Sequence, residues 1–387
     1  MRSTTLLLLA ATALTFAESP VPPDEHFKVE TVAEGFVDAM ELAVTPEGYI
    51  FVVERTGGVK LVRPSDGKVL EVARIPVAVR KGEHARESGL LGIALDPEYR
   101  KNKWVYLYYS DPKESKHRLS RFTFAGRTLE DERTVLEVPA DRDKAVCHEG
   151  GSLAFGPQGN LFLSTGDNTC PFEADGYAPL DTRPDRAEFD AQRSASNTND
   201  LRGKILRITP KEDGGYDIPE GNLFTDGKGR PEIYVMGCRN PYRISIDPHN
   251  GYLYWGEVGP DAGADNEKRG PQGYDEINQA REAGNFGWPY FIADNKPYVD
   301  YDFATKRSRR PFDPSTPMNR SPNNKGTAYL PPARPAFWYY PRASACAGPV
   351  YHHDDYPEDP GKLPVALDSC LIVYDWTSAW LRVIKLD

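Results

Sequence analysis

The chain is poor in the residues that announce several common chemistries. Its five cysteines, Cys147, Cys170, Cys238, Cys346 and Cys370, show no C-x-x-C spacing, which excludes a zinc ribbon and a dithiol redox motif. An oxidising compartment would permit one or two disulfides among them, and the odd count leaves at least one thiol over or paired between chains. No Gly-x-Ser-x-Gly elbow occurs, so a serine hydrolase is unsupported. Gly-rich segments such as TGGVK lack the spacing of a phosphate loop or a dinucleotide site. Basic residues are outnumbered, 47 against 57 acidic ones, for a net charge of -10. That balance argues against a nucleic-acid surface and against binding to an anionic membrane. Beyond the N-terminus no apolar run approaches the ~20 residues that span a bilayer, so no membrane span is expected.

The N-terminus itself has one positive charge at Arg2, an apolar run from Leu6 to Phe16 and the small Ala17, the pattern of a cleaved secretory signal over residues 1–17. A buried helix is the competing reading, but the Pro-rich SPVPPDE that follows is a poor helix continuation. Residues 18–34 then read as an N-terminal extension, and the mature protein is expected to be secreted or periplasmic.

What the 387-residue chain has in quantity is turn and strand material: 34 Pro, 33 Gly and 21 Tyr. A pattern of apolar strand, proline turn and aromatic-rich strand recurs as MELAVTPEGYIFVVE from Met40, LGIALDPEYRKNKWVYLYYS from Leu91, SLAFGPQGNLFLSTGD from Ser152 and RISIDPHNGYLYWGEVG from Arg243. A weaker copy runs from PVYHHDDYP through DSCLIVYDW. Further alternating segments follow the copies: GGVKLVRP, HRLSRFTFAG, RGKILRITP, GYDEINQA and WLRVIKLD. Each unit is too small to bury a core alone, and repetition around an axis solves that problem. The fold class is therefore all-β, a β-propeller over residues 35–387 with about five blades visible; a pair of β-sandwiches is the alternative. Closing the ring would take either five blades or strands beyond Asp387. Segments 171–200 and 290–345, polar and poor in strand signals, read as inserts of the kind that build lids or binding walls.

In a propeller the first strand of each blade lines the central channel, so equivalent strand starts converge. Counting nine residues back from the turn prolines Pro46, Pro97, Pro157, Pro248 and Pro357 gives Val37, Ser88, His148, Arg239 and Gly348. Pairing about the centre of the Gly156-Pro157-Gln158-Gly159 turn places Asp167 opposite His148, and Arg239 falls opposite Val258 or Gly259. Glu87, next to Ser88, approaches the same ring. An imidazole whose ordinary pKa is about 6.5 can accept a proton at neutral pH, and a carboxylate fixes its tautomer. An Arg fork suits a planar anion, and backbone carbonyls near Glu257, Asp261 and Asp265 are hard oxygen ligands of the kind calcium takes. Singly, a His at a strand end, an Arg in a channel and an Asp beside a turn are all commonly structural; their convergence is what favours a site. His352-His353-Asp354-Asp355 reads as a solvated loop, and the Asn319-Arg320-Ser321 sequon is too short to weigh.

Those residues carry a resemblance. ESGLLGIALDPEY from Glu87, HEGGSLAFGPQGNLFLSTGD from His148, LRGKILRI from Leu201, EIYVMGCRNP from Glu232 and EVGP through GYDEINQAREAGNFGWP to Pro289 together resemble the glucose/sorbosone dehydrogenase family, soluble quinoproteins with a six-bladed propeller. The resemblance implies a pyrroloquinoline quinone cofactor held by calcium on the backbone oxygens of Gly259 and Pro260. It implies His148 as the base, Asp167 orienting it, Arg239 and Asn240 touching the cofactor, and a sugar or polyol substrate. A cytochrome c acceptor is a plausible partner for an exported quinoprotein. The chain departs from the family where Glu87 stands in place of a common Gln, as a second base or a repulsive charge. RNPYR replaces RNPQG, so that Tyr242 and Arg243 reshape the floor, and DWTSAW occupies the place of a cofactor-binding lysine. Two other functions compete: a calcium-dependent lactonase with its metal on Glu87, Asp167, Asn168 and Asn240, and a non-catalytic binding propeller.

Overall fold

The computed structural model describes residues 21–79, 87–144, 147–341 and 343–386. The expected signal segment, 1–17, lies outside them. The described residues form a five-bladed all-β propeller. The first blade pairs Ala39–Val44, Ile50–Glu54, Gly58–Arg63 and Lys68–Arg74 in sequence order. The second does the same with Leu90–Leu95, Trp104–Ser110, Lys116–Phe124 and Leu129–Pro139. The third is built on Leu153–Phe155, Leu161–Thr165, Lys204–Pro210 and Ile233–Met236, with Gly284–Asn285 added in parallel at its edge. The fourth holds Pro241–Ile246, Leu253–Glu257, Tyr274–Ala280 and Trp338–Pro341, and the fifth Ala345–Tyr351, Cys370–Asp375 and Trp380–Lys385.

Strand alternation explains the stacking. In the second strand of the second blade, Val105, Leu107 and Tyr109 join the core shared with the first blade, while Tyr106 and Tyr108 join that shared with the third. In the fourth blade Leu253 and Trp255 pack towards the third and Tyr254 towards the fifth. Residues that a period of two places on opposite faces thus serve two neighbours, which only stacked blades allow. The repeated inner hairpin closes on a left-handed glycine: Gly48, Gly159 and Gly251 have φ of 85°, 77° and 74°, a region that costs glycine nothing.

Four expectations change. The fifth copy is out of phase, because a 3-10 turn at His353–Asp355 intervenes before Pro357; Gly348 therefore lies within a strand, at an irregularity between Ala347 and Val350, and Ser344 takes the strand-start position. The segment 290–345 is not wholly insert, since Trp338–Pro341 is the outer strand of the fourth blade; before it come two small hairpins, Phe291–Ile292 with Lys296–Pro297 and Val299–Asp302 with Arg307–Pro311. Cys147, Cys170, Cys238, Cys346 and Cys370 are all buried, and none forms a disulfide among the described residues. His352 is not in a solvated loop: its ring stacks on His249 at 3.6 Å and its Nε2 meets Asp247 Oδ1 at 2.8 Å, clasping the fourth blade to the fifth.

The two inserts cover one rim of the propeller together. Asn319 Nδ2 donates to Gln192 O at 2.7 Å, and Ser321 Oγ donates to Asp190. Arg269 adds a clasp: it pairs with Asp175 at 2.9 Å and lies over the rings of Tyr177, Tyr301 and Phe303. This is the rim on which the channel-lining strands begin.

Candidate active site

His148 and Asp167 meet, although not by the register expected. The hairpin pairs Leu161 with Phe155 and Leu163 with Leu153, one residue out of the predicted phase. The backbone partner of His148 is therefore Asn168, whose N–H donates to His148 O at 3.2 Å. The side chains still find each other because regular pairing has ended by then. His148 has a φ of 62° and Asn168 of 52°, left-handed conformations that non-glycine residues adopt at some cost and that often mark sites. Gly166 permits the crossing: a Cβ there would stand 1.9 Å from His148 O.

The result is a buried dyad. His148 Nδ1 lies 2.7 Å from Asp167 Oδ1, with the imidazole 4% exposed and the carboxylate fully buried. Asp167 is held from two further sides, Oδ1 accepting from Thr169 N at 2.9 Å and Oδ2 from the Trp288 indole N–H at 2.8 Å. With three donors around it the carboxylate cannot turn, so the imidazole is fixed with its proton on Nδ1 and Nε2 left as the basic atom.

Arg239 stands at the equivalent start of the fourth blade, 5% exposed, and Asp167 N donates to its carbonyl at 2.8 Å. Its Nη1 donates to Val258 O at 2.8 Å and its guanidinium lies 5.9 Å from the centre of the Trp288 ring. Among the described residues no carboxylate lies within ion-pair distance of it. None of its nitrogens is among the fully buried unpaired atoms of the described residues, and a guanidinium with N–H groups left over can take an anion.

Glu87 and Asn240 join this rim without facing open space. Glu87 Oε2 accepts from Glu149 N at 3.0 Å and from Asn240 Nδ2 at 3.2 Å, and Asn240 Oδ1 accepts from Gly150 N at 3.1 Å. Together they tie the second, third and fourth blades beside the dyad. Burial shifts the nearby carboxyls towards their neutral forms. Burial and Glu276 push Glu257 up to about 8, burial pushes Glu276 up to about 7, and burial with Glu87 pushes Glu149 up to about 7. Protonated glutamates leave the Arg239 charge less opposed.

Gly259 and Pro260 lie one turn away in the same segment, both buried. Gly259 N donates to Asp275 Oδ1 at 3.1 Å, and a Cβ on Gly259 would stand 1.8 Å from Tyr274 O, so only glycine fits. Neither carbonyl accepts a hydrogen bond from another described residue. Two buried carbonyl oxygens free for a ligand suit a hard cation. No cluster of three or more His, Cys, Asp or Glu side chains among the described residues is arranged for a metal ion. The side chains of a lactonase-type site, Glu87, Asp167 and Asn240, are committed to one another's neighbours as above. The Arg243 guanidinium stacks on the Tyr242 ring at 4.1 Å and reaches Met40 O. A cleft of about 540 Å³ lies at the opposite rim between the turns of the first two blades, among Tyr49, Arg63, Lys103 and Arg127. Its lining holds neither His nor Cys.

Sequence reasoning missed Trp288, Glu149 and Glu276, and it set Glu257 beside the cation ligands, whereas its carboxyl accepts from the backbone N–H groups of Arg239 and Asn240 and from the Trp255 indole. Trp288 was within a quoted motif, NFGWP, but no local signal ties an indole to a carboxylate far along the chain. Burial of the three glutamates is a property of blade stacking.

A family model described as Glucose / Sorbosone dehydrogenase matches residues 36–329. Quinoprotein glucose dehydrogenase B of Acinetobacter calcoaceticus is 26% identical over 82% of this chain and 68% of its own. Human Hedgehog-interacting protein is 29% identical over 52% of this chain and 28% of its own. The PQQ-bound form of an aldose sugar dehydrogenase from Streptomyces coelicolor superposes with a TM-score of 0.61 at 23% identity, covering 93% of this chain and 80% of that one. The chain spans 64% and 68% of the lengths of the first two curated relatives. By fold, motif order and family match, the chain belongs to the glucose/sorbosone dehydrogenase family.

Proposed function

We propose that this chain is the propeller of an exported quinoprotein dehydrogenase that oxidises an aldose or a related polyol or aldehyde. One observation carries the reading: the buried His148–Asp167 dyad shares its rim with Arg239, a buried cation that has no carboxylate partner among the described residues. Arg239 fits a planar acidic cofactor, and the free carbonyls of Gly259 and Pro260 fit calcium, whose remaining ligands would come from cofactor and water. Pyrroloquinoline quinone, when bound, supplies the electron sink that accepts a hydride from the substrate carbon. His148 Nε2 takes the proton of the substrate hydroxyl while Asp167 holds Nδ1–H and stabilises the imidazolium that forms. Glu87 is a positioning residue, because its carboxylate holds Asn240 and the backbone of Glu149. The electron acceptor in this reading is a cytochrome c.

A binding propeller is the second reading, favoured by the likeness to Hedgehog-interacting protein and by Trp376-Thr377-Ser378 in place of a lysine, with Trp376 73% exposed. Calorimetric titration of pyrroloquinoline quinone into metal-free protein, with and without calcium, separates them. Tight calcium-dependent binding, with dye reduction by an aldose that His148→Ala abolishes, supports the dehydrogenase. Absence of quinone binding by folded protein leaves the binding propeller.

A further inference from the structure

A base that takes a proton in every turnover must also release it, and the way out of a buried site has to be built. His148 Nδ1 is closed by Asp167, so the proton leaves from the other side of the ring. A cavity of about 10 Å³ lies against His148, bounded also by Glu149, His117, Tyr108, Asn168 and Arg202. That volume is one water molecule's worth, and the walls supply the several polar partners an internal water needs.

Two features of the walls go beyond packing. Tyr108 is fully buried and its hydroxyl has no hydrogen-bond partner among the described residues, although Glu149 lies within electrostatic reach of it. A buried phenol left unsatisfied costs about 1–3 kcal/mol, a cost that one water in this cavity removes. Glu149 is the second feature: Oε1 accepts from Ser88 Oγ at 2.9 Å, Oε2 accepts from Ser110 Oγ at 3.4 Å, and His117 Nε2 lies 3.6 Å from Oε2.

We infer that Glu149 is the proton acceptor that resets His148, through a water held in this cavity by Tyr108. The step balances: the imidazolium gives its Nε2 proton to the water as the water gives one of its own to the Glu149 carboxylate, returning neutral His148, water and a neutral carboxylic acid. Glu87 stands beside it, its Oε2 accepting from the Glu149 backbone N–H at 3.0 Å. The groups facing Glu149 set its range. Glu87 and burial raise it to about 7, while Arg142 and the serine hydroxyls oppose them. Tyr108 is held neutral by burial, and His117 is kept neutral too, pushed down to about 3 by burial and by Arg142 and Arg202. Among the groups that line this cavity, Glu149 is the carboxyl raised towards neutrality, to about 7.

This inference rests on the dehydrogenase reading for its purpose but not for its test. In cofactor-free protein, infrared difference spectra between pH 6 and 8 should show the carbonyl stretch of buried carboxylic acids disappearing as pH rises, and Glu149→Gln should remove one component of that signal while those of Glu257 and Glu276 remain. An unchanged difference spectrum in Glu149→Gln overturns the relay whether or not the protein oxidises sugars. In the quinone-loaded enzyme, Glu149→Gln should lower kcat on the order of 10²-fold with KM little changed, and small bases such as formate or imidazole should restore it in proportion to their concentration. An undiminished kcat, or a loss that added base does not repair, overturns it. Tyr108→Phe, which keeps the packing, is the second variant should Glu149→Gln fail to fold; it should lower kcat by about tenfold and enlarge the solvent isotope effect. A protein that shows the Glu149 component but no dye reduction refutes the dehydrogenase reading while leaving the water-linked acid in place.

Discussion

Replacing Asp167 by Asn keeps the shape of the side chain and changes only what its two terminal atoms can do. The carboxylate accepts from His148 Nδ1 at 2.7 Å and Thr169 N at 2.9 Å on one oxygen, and from the Trp288 indole at 2.8 Å on the other. An amide has one acceptor for these two sides. If its oxygen faces His148 and Thr169, its NH2 points at the Trp288 N–H, two buried donors facing each other at a cost of about 1–3 kcal/mol. If its oxygen faces Trp288, its NH2 meets the Thr169 N–H and forces His148 to accept at Nδ1, moving the ring proton to Nε2, where the base must be free. In either orientation the negative charge that stabilises the imidazolium is gone, so kcat of quinone-loaded protein should fall on the order of 10²- to 10⁴-fold. Dye reduction at saturating aldose measures that fall, and denaturant unfolding measures the stability cost. Adding Trp288→Phe removes the opposing donor, so the double variant should recover stability without recovering turnover. The reasoning fails if Asp167→Asn, folded and cofactor-loaded, turns over at close to the parent rate.

Glu276 has its carboxyl raised from its ordinary 4.5 to about 7 chiefly by burial, so the folded state holds a proton that the unfolded chain releases. Its contribution to stability is complete below pH 4.5 and is lost as pH rises through about 7, at about 1.4 kcal/mol per unit in between. Glu276→Gln should flatten that part of the stability–pH curve; an unchanged slope refutes the assignment. Gly259→Ala drives a Cβ to 1.8 Å from Tyr274 O and should lower the denaturant midpoint by the equivalent of about 1–3 kcal/mol and abolish calcium-dependent quinone binding. A variant with parent stability would show that the two strands are not so close. Arg269→Ala removes the Asp175 ion pair, the hydrogen bond to Ala174 O and three ring contacts, and should cost about 2 kcal/mol and speed proteolysis within 171–200 and 290–337. Equal cleavage rates would mean the inserts hold together without it.

The blades were legible because their signal is local. Alternation in WVYLYYS, and a turn glycine that needs positive φ, belong to a few consecutive residues, and a repeat offers several chances to read them. Phase was legible only where the proline directly follows the residue that opens the turn, as Pro157 follows Gly156 and Pro248 follows Asp247, which is why His148 and Arg239 fell at matching positions and Gly348 did not. The outer strand Trp338–Pro341 was missed because it is short and pairs with Tyr274–Ala280 across a long insertion. Register failed by one residue at His148 for a related reason: pairing gives way to left-handed residues, and their conformations depend on what surrounds them. Clasps such as His249 on His352, and the indole beneath Asp167, join residues far apart in sequence and leave no local trace.

Glu87 shows what the structure adds to such a reading. As an isolated letter in place of a glutamine it suggested either a second base or a charge that repels an acidic cofactor. In the fold its carboxylate is spent on Asn240 and on the backbone of Glu149, and its field adds to the burial that raises Glu149 to about 7. The charge therefore acts on the neighbouring glutamate, which protonates near neutrality and so limits the negative potential at the rim. With Glu149, Glu257 and Glu276 all shifted towards their neutral forms, the buried Arg239 is left as an attractive centre in a chain whose net charge is -10. Raising the pH above 8 ionises those carboxyls and turns the rim repulsive. On this argument quinone affinity should weaken above pH 8 in the parent and weaken less in Glu149→Gln, and calorimetry on the two proteins decides it; equal pH dependence would mean that the glutamates do not govern the potential that Arg239 presents.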